Sequence, residues 1–329
     1  MADPRLTTAL EDGAIVLPPK GRIAVFRPRA ETDLSALPRE RVHVIQGFRP
    51  DHDAFAAQGF DVGVAPEGRY GAALVCLPRS KAEARALVAA AVAASDGPVL
   101  IDGQKTDGVE SLLRDIRKRV DVGAVTSKAH GKLFAFSGGD FSDWAVDPAG
   151  QQIAGGYVTA PGVFSADRVD AGSAALAAAL PAKLPKRIAD LGAGWGYLAG
   201  AILSRPGVKE LHLIEADHAA LDCARRNVTD PRARFHWADA TRFTGEAGFD
   251  AVVTNPPFHT SRAADPSIGR AFIAAAAGLL KPSGRLWLVA NRHLPYEAEA
   301  AMHFLEVQEI AGDRSFKVLQ AAKPRRAKR

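Results

Sequence analysis

Residues 187–196 read RIADLGAGWG, a short apolar run that leads into a glycine-rich turn and then into a helical pattern. Gly192 and Gly194 allow a tight turn that brings the backbone close to a ligand, and Gly196 allows close helix packing. A strand end that feeds a helix N-terminus is where doubly wound sheets bind nucleotides. The spacing G-x-G-x-G is not that of dinucleotide sites, and no G-K-[ST] follows, so a phosphate-binding P-loop is not predicted.

The residues around this turn alternate between short apolar runs and helical patterns. Strands are predicted at 211–214, 234–237, 251–254 and 285–290, and helices at 219–227 and 271–280, the second helix ending in a turn at 281–284. Such alternation predicts an α/β fold with a doubly wound, mostly parallel sheet. The uniformly apolar strands agree, because strands of such a sheet are covered on both faces.

The first half of the chain contains a weaker, degenerate repeat of the same pattern. Residues 73–78 (ALVCLP) line up with residues 251–256 (AVVTNP), and each run is followed by an alanine-rich helix, a glycine-containing turn and a strand. In this alignment Leu77 takes the place of Asn255 and Arg79 that of Pro257. We therefore predict two tandem Rossmann-like domains, a degenerate one at 1–150 and a catalytic one at 151–322, joined by a turn-rich linker.

Three acidic residues accompany the glycine turn. Glu215 ends the second predicted strand of the C-terminal half, where a carboxylate can bind both ribose hydroxyls of a nucleoside. Asp217 is better explained as a helix N-cap. Asp239 follows the third strand and can accept a hydrogen bond from an adenine amino group. Together with Asp190 and the three glycines, these residues predict a site for S-adenosylmethionine, an adenosine-containing cofactor without a pyrophosphate.

Residues 254–259 read TNPPFH. Proline lacks an N–H group and fixes φ, so the strand must end here with a rigid backbone. This leaves the Asn255 side-chain oxygen and the Pro256 carbonyl free to accept hydrogen bonds, which suits the two donors of a planar NH2 group. Phe258 can stack on the ring that carries this group. The alternative is a plain Pro-Pro turn with Phe258 in the core.

On these motifs the C-terminal half resembles class I S-adenosylmethionine-dependent methyltransferases of the N-P-P-[FYW] group. More narrowly, it is similar to the bacterial ribosomal RNA guanine-N2 methyltransferases of the small-subunit methyltransferase C type. The family often has Gly two residues after the histidine of this motif, where this chain has Ser261. The segments that carry the resemblance are 161–165, Asp170, Gly172, Ser173, 190–196, 255–259, 289–291, 294–296 and 316–318.

The resemblance implies a catalytic group made of Asn255, Pro256 and Phe258. It implies that Pro257, Phe258 and His259 contact the target base, although His259 is equally explained as a helix-start histidine. Asn255 is also expected to contact the cofactor. Phe164 is expected to lie over the cofactor, and burial in the core is the alternative. The N-terminal copy is expected to be non-catalytic and to pack on its partner domain or help hold RNA.

Composition supports an ordinary two-domain globular protein. The chain has 329 residues, 47% of them hydrophobic and 24% charged. The first thirty residues lack the features of a secretory signal. Cys76 and Cys223 are the only cysteines. We therefore expect neither a disulfide scaffold nor a metal site, and we expect a cytoplasmic location.

The excess positive charge of the chain is concentrated at its C-terminal end. The net charge is +5, and the last seven residues hold five basic residues and no acidic one. A basic tail at 323–329 is therefore predicted, which can reach RNA or simply solubilise the terminus. Arg114, Arg117, Lys118 and Arg119 form a second basic group, either an RNA-facing stripe or a solvated helix face.

These features predict a methyltransferase that acts on the N2 amino group of a guanine in ribosomal RNA, most simply small-subunit 16S rRNA. The expected partner is ribosomal RNA or the small ribosomal subunit, and the expected state is a monomer with an internal pseudo-dimer. One alternative is another enzyme of the same motif group, such as a large-subunit rRNA guanine-N2 or a protein glutamine N-methyltransferase, because an acceptor amide satisfies the same two acceptors. A non-enzymatic RNA-binding module is disfavoured, because both motifs survive in the C-terminal half.

Overall fold

A computed structural model describes residues 5–257 and 266–325. The chain divides into two compact units, residues 1–150 and residues 151–329. Each unit contains a seven-stranded sheet with helices beside it. No helix in the described part of the chain is long and apolar enough to cross a membrane.

The N-terminal unit has the strand order β3-β2-β1-β4-β5-β7-β6. The strands are parallel except β7, which runs antiparallel to both β5 and β6. Its elements are α1 (Arg5–Glu11), β1 (Ile23–Phe26), β2 (Val42–Ile45), α2 (Arg49–Ala57), β3 (Asp61–Gly63), β4 (Ala72–Cys76), α3 (Lys81–Ala94), β5 (Val99–Gln104), α4 (Val109–Arg117), β6 (Val122–Lys128) and β7 (Gly131–Phe136).

The C-terminal unit has the strand order β12-β11-β10-β13-β14-β16-β15, preceded by a small β8-β9 hairpin. Its elements are β8 (Gln151–Gln152), β9 (Val158–Thr159), α5 (Ala171–Ala179), β10 (Arg187–Leu191), α6 (Tyr197–Leu203), β11 (Glu210–Glu215), α7 (His218–Asn227), β12 (Ala233–Trp237), β13 (Phe249–Thr254), α8 (Pro266–Leu279), β14 (Leu280–Asn291), α9 (Tyr296–His303), β15 (Phe304–Gly312) and β16 (Phe316–Pro324).

The two strand orders are the same when each sheet is numbered from its own first strand. This confirms the predicted α/β fold with two tandem doubly wound sheets. The central strands are buried on both faces, as their composition predicts. In β10, for example, Ile188 packs in one apolar cluster and Ala189 in the cluster on the other face.

The pairing register corrects the predicted alignment of the two copies by one residue. Ile23 pairs with Val42 and Ala72, just as Ile188 pairs with Leu211 and Ala251. Counting along the ladders places Cys76, not Leu77, at the position of Asn255, and Pro78 at that of Pro257. The alignment was wrong because it matched the single proline of the first copy to the first of two prolines in the second.

The same register shows what stands at the cofactor positions of the N-terminal copy. Arg27 takes the place of Gly192, and Gln46 takes the place of Glu215. Arg27 has a φ of +57°, and its guanidinium pairs with Glu83 and lies 3.4 Å from the Gln46 side-chain oxygen. A guanidinium therefore lies among polar partners at the level where the C-terminal copy has its glycine turn.

Two details differ from the sequence predictions. The predicted turn at 281–284 lies inside β14, where pairing passes from Phe249–Leu280 directly to Ala251–Arg285, so these four residues bulge out of the ladder.

The predicted basic tail is wrong for its first residues, because β16 continues to Pro324 and the backbone N–H of Arg325 donates to the His303 carbonyl. Arg326, Lys328 and Arg329 lie outside the described residues.

Candidate active site

The candidate site lies at the edge of the C-terminal sheet where β10, β11 and β13 end. Leu191 pairs with Ile214 on one side and with Thr254 on the other. The next residues of the three strands, Gly192, Glu215 and Asn255, therefore begin at the same level. Since β10 lies between β11 and β13, the connections leave on opposite sides of it, and this is the switch point at which doubly wound sheets bind ligands.

The three glycines of the turn all have positive φ angles, +71° at Gly192, +54° at Gly194 and +92° at Gly196. A Cβ on Gly196 would lie 2.9 Å from the Val228 side chain, so this glycine is needed for helix packing, as predicted. A Cβ on Gly194 would meet none of the described residues within 4 Å. The Gly194 backbone is thus open, among these residues, on the side where a side chain would lie.

Glu215 holds the glycine turn in place. Its Oε2 accepts a hydrogen bond of 2.8 Å from the Gly194 N–H, and its Oε1 accepts one of 2.8 Å from the Asp217 N–H. Burial raises the pKa of Glu215 to about 7, against the opposing effect of these backbone N–H groups. Each carboxylate oxygen has a second lone pair, so binding of ribose hydroxyls stays a prediction that this geometry permits.

Asp190 is completely buried beneath the turn. Neither of its carboxylate oxygens has a hydrogen-bond partner among the described residues. Burial, with a smaller contribution from the charge of Glu215, raises the pKa of Asp190 to about 8. Because an unpartnered buried carboxyl is costly, this site suits a ligand that brings a positively charged group such as an ammonium.

Asn255 is fixed by two contacts to the start of α5. Its Nδ2 donates to Asp170 Oδ2 and to Ser173 Oγ, each at 2.9 Å. Pro256 is buried and Pro257 is exposed. Phe258, His259 and Ser261 lie outside the described residues, so their predicted roles stay predictions.

Phe164 is 58% exposed, so its alternative placement in the core is wrong. Its carbonyl accepts a hydrogen bond of 3.0 Å from the indole N–H of Trp195, which lies within the glycine turn and is buried. Asn227 adds a second link, because its Nδ2 donates to the carbonyls of Val158 and Trp195. These bonds hold the segment that carries Phe164 beside the turn, where a role over the cofactor stays a prediction.

The remaining acidic residues behave as turn and helix caps. Asp217 caps α7 through the Ala219 N–H, which confirms the N-cap prediction. Asp239 accepts hydrogen bonds from both the backbone N–H and the hydroxyl of Thr241. Its predicted contact with adenine stays a prediction.

The second basic group lies on and after α4, in the N-terminal unit. All four residues are exposed, but Lys118 Nζ lies 3.8 Å from Asp115 Oδ1, and Arg119 pairs with Asp143 and lies 4.6 Å from the Trp144 ring centroid. Arg119 is therefore committed to a local contact, and a complete stripe of four free cations is not formed.

The C-terminal unit matches a known protein family. A profile of the methyltransferase small domain family covers residues 155–320, just over half of the chain. The chain belongs to this family. This methyltransferase is 31% identical over 268 residues to the ribosomal RNA small subunit methyltransferase C of Shewanella sp. (strain MR-4), and the match covers 77% of each protein.

Two further relatives of this methyltransferase are informative. It is 34% identical over 182 residues to the ribosomal RNA large subunit methyltransferase G of Streptomyces coelicolor, a match to 54% of this chain and 48% of that protein. Among solved structures, the T. thermophilus 16S rRNA N2 G1207 methyltransferase, in complex with AdoMet and guanosine, is 25% identical with a TM-score of 0.79. That match covers 98% of this methyltransferase and 92% of the T. thermophilus chain.

The part that Asp170 and Ser173 play in this methyltransferase was not predicted from the sequence. Both residues carried the family resemblance, yet no role followed from it. Aspartate is a favoured N-cap residue, and Asp170 caps α5, since its Oδ2 accepts from the Ser173 N–H at 2.7 Å. Their contact with Asn255, far along the chain, has no local signal.

Proposed function

We propose that this methyltransferase transfers a methyl group from S-adenosylmethionine to the exocyclic N2 nitrogen of a guanine in small-subunit 16S ribosomal RNA. The observation that carries this proposal is the position of Asn255. It follows the strand next to the glycine turn, and its side-chain nitrogen is committed to Asp170 and Ser173, so its oxygen is left to accept hydrogen bonds. Support also comes from the T. thermophilus relative, whose ligands are AdoMet and guanosine.

The residues of the crevice fit this cofactor. The open backbone at Gly194 and the carboxylate of Glu215 would hold its nucleoside part, and the unpartnered Asp190 would take its ammonium group. When bound, S-adenosylmethionine supplies an electrophilic methyl group on a positively charged sulfur. Asp239 and Phe164 would complete the enclosure of the nucleoside.

The protein's task is then to orient a poor nucleophile. A guanine amino nitrogen delocalises its lone pair into the ring, and hydrogen bonds from its two N–H groups to Asn255 Oδ1 and the Pro256 carbonyl favour the pyramidal geometry in which the lone pair is available. The same acceptors stabilise the positive charge that develops on the nitrogen. An amide is not a base near pH 7, so the proton leaves after methyl transfer, to water. The target base has to leave its stack, and Phe258 would replace part of the lost stacking.

A second candidate substrate is a guanine of large-subunit RNA, because the S. coelicolor relative is named as a large-subunit methyltransferase. That similarity spans about half of each protein, whereas the similarity to the small-subunit enzyme spans 77% of each. The longer match takes in part of the N-terminal unit, for which we propose a non-catalytic role in holding RNA. We further propose a cytoplasmic, monomeric enzyme.

The test is methyl transfer from tritium-labelled S-adenosylmethionine to purified ribosomal subunits from a strain that lacks this chain, followed by mass spectrometry of the RNA nucleosides. We expect N2-methylguanosine in small-subunit RNA only. Label in large-subunit RNA would favour the second candidate, and label in release factor added to a parallel reaction would favour a protein glutamine methyltransferase. A protein that binds RNA but transfers no label to any of the three would overturn the enzymatic assignment.

A further inference from the structure

The side-chain amide of Asn255 can do its proposed work in only one of two orientations. With Oδ1 toward the substrate, the amide accepts a hydrogen bond from an amino group. With Nδ2 toward the substrate, its own N–H groups face the N–H groups of the substrate, and no hydrogen bond forms. The two orientations have almost the same shape, so packing alone does not select between them. The selection has to come from polar neighbours on the other side of the amide.

The start of α5 provides those neighbours. Nδ2 of Asn255 donates one hydrogen bond to Asp170 Oδ2 and the other to Ser173 Oγ, which uses both of its N–H groups. An ionised carboxylate can only accept, and a hydrogen bond to a charged group is roughly twice as strong as a neutral one. A flipped amide would place Oδ1 against the Asp170 carboxylate, where two acceptors repel each other.

The two partners are themselves held rigidly. Asp170 Oδ2 also accepts the Ser173 backbone N–H at 2.7 Å, so helix capping fixes the carboxylate that receives Asn255. Ser173 is 8% exposed. A Cβ on Gly172 would lie 3.1 Å from Asp170 Oδ2 and 3.2 Å from the Phe316 ring, so only glycine leaves this first turn undisturbed.

We infer that Asp170 and Ser173 are positioning residues, which hold the Asn255 amide with its oxygen toward the amino group to be methylated. This inference rests on the proposed function and adds to it the residues that select the orientation of the Asn255 amide. The negative charge of Asp170 also polarises the amide it binds, which makes Oδ1 a stronger acceptor for the charge that develops on the substrate nitrogen.

The test compares Asp170→Asn, Ser173→Ala and Ser173→Thr with the wild type. Asparagine caps a helix as well as aspartate does, so Asp170→Asn removes the charge while α5 keeps its cap. Ser173→Ala removes the Oγ acceptor but keeps the backbone N–H, and Ser173→Thr keeps both. The measurements are kcat and KM for methylation of small ribosomal subunits, the Kd of S-adenosylmethionine by titration calorimetry, the melting temperature, and binding of guanosine against inosine, which lacks the 2-amino group.

We expect Asp170→Asn to lower kcat on the order of 10- to 100-fold, and Ser173→Ala by a smaller factor, with cofactor Kd and melting temperature close to those of the wild type. We expect Ser173→Thr to retain most of the activity, and Asp170→Asn, whose amide oxygen still accepts from Asn255 but carries no charge, to weaken the wild-type preference for guanosine over inosine. An unchanged kcat in Asp170→Asn, or a loss of activity matched by an equal loss of cofactor affinity, would overturn the positioning role alone. A wild type that leaves ribosomal RNA unmethylated would overturn the proposed function on which it rests.

Discussion

The hydroxyl of Thr254 donates a hydrogen bond of 2.7 Å to the carbonyl of Leu191. It joins the residue before the Asn-Pro-Pro turn to the residue before the glycine turn, and Thr254 is completely buried. The predicted acceptor site and the predicted cofactor site are therefore linked by one side chain as well as by the strand ladder between β10 and β13.

Thr254→Val should test this link. Valine keeps the shape of threonine but leaves a buried carbonyl lone pair without its partner, so we expect a loss of about 1–2 kcal/mol in the free energy of unfolding. Urea denaturation measures this loss, and the methylation assay should show a lower kcat. Thr254→Ser keeps the hydroxyl and serves as the control for the hydrogen bond. Equal stability of Thr254→Val and wild type would contradict the prediction.

Asn255→Ala should separate catalysis from cofactor binding. Removing the acceptor that orients the amino group is expected to lower kcat by roughly 10²- to 10³-fold. The main supports of the cofactor, the glycine turn and Glu215, are untouched, so calorimetry should give a Kd for S-adenosylmethionine near the wild-type value. Wild-type turnover by Asn255→Ala would show that the proposed mechanism is wrong.

Gly194→Ala and Gly196→Ala should differ in whether they weaken cofactor binding or only the stability of the fold. Both add strain of about 1 kcal/mol or more, because alanine disfavours their positive φ angles. The Cβ at position 194 enters the open crevice, so that variant should lose cofactor affinity beyond its loss of stability. The Cβ at position 196 meets Val228 at 2.9 Å, so that variant should lose mainly stability. Titration calorimetry and thermal melting of the same samples distinguish the two, and equal losses of affinity in both would contradict the assignment.

Burial of Asp190 should give the ligand-free protein a characteristic pH dependence. Its pKa is raised from 3.8 to about 8, so the native state holds a proton over a range in which the unfolded state has lost it. The unfolding free energy therefore falls as the pH rises between these two values. We expect Asp190→Asn, which carries no charge, to become increasingly more stable than the wild type as the pH is raised from about 5 to about 8. Urea denaturation across this range measures the difference, and parallel curves would show that Asp190 titrates normally.

Each copy has an ion pair at the equivalent position, and the two pairs should contribute differently to the free energy of unfolding. Lys317 is 4% exposed, and its Nζ lies 2.7 Å from both oxygens of Glu297. The ladders place Lys132 at the equivalent position, 3.5 Å from Glu110. Glu297→Gln leaves a buried ammonium without this countercharge and should lower the unfolding free energy by about 2 kcal/mol. Glu110→Gln, at the more exposed pair, should lower it by less than about 1 kcal/mol, and the reverse order would contradict this interpretation.

Much of the fold could be predicted because its signals are local. The apolar run before Gly192, the alternation that follows, and the break imposed by Pro256 and Pro257 each depend on a few adjacent residues. They were enough to predict the doubly wound sheet and the two motifs of its candidate site, the glycine turn and the strand that ends at Asn255.

The rest depends on contacts that no local pattern records. The bonds from Asn255 to Asp170 and Ser173 join segments more than 80 residues apart. The correct alignment of Cys76 with Asn255 is set by ladder pairing, and a single proline misled the comparison of sequences. Lys323 and Arg325 were predicted to belong to a basic tail, but an antiparallel partner strand and the helix before it hold them against the sheet.

The Arg27–Glu83 pair of the N-terminal copy has a consequence for any attempt to build a cofactor site there. Replacing Arg27 with glycine would remove the guanidinium, but it would also strip Glu83 of this countercharge and Gln46 of a donor. Glycine at position 27 would therefore not be enough by itself, because Glu83 and Gln46 would each have lost a partner. In this copy an internal ion pair stands at the level of the glycine turn of the other copy, so several residues would have to change together.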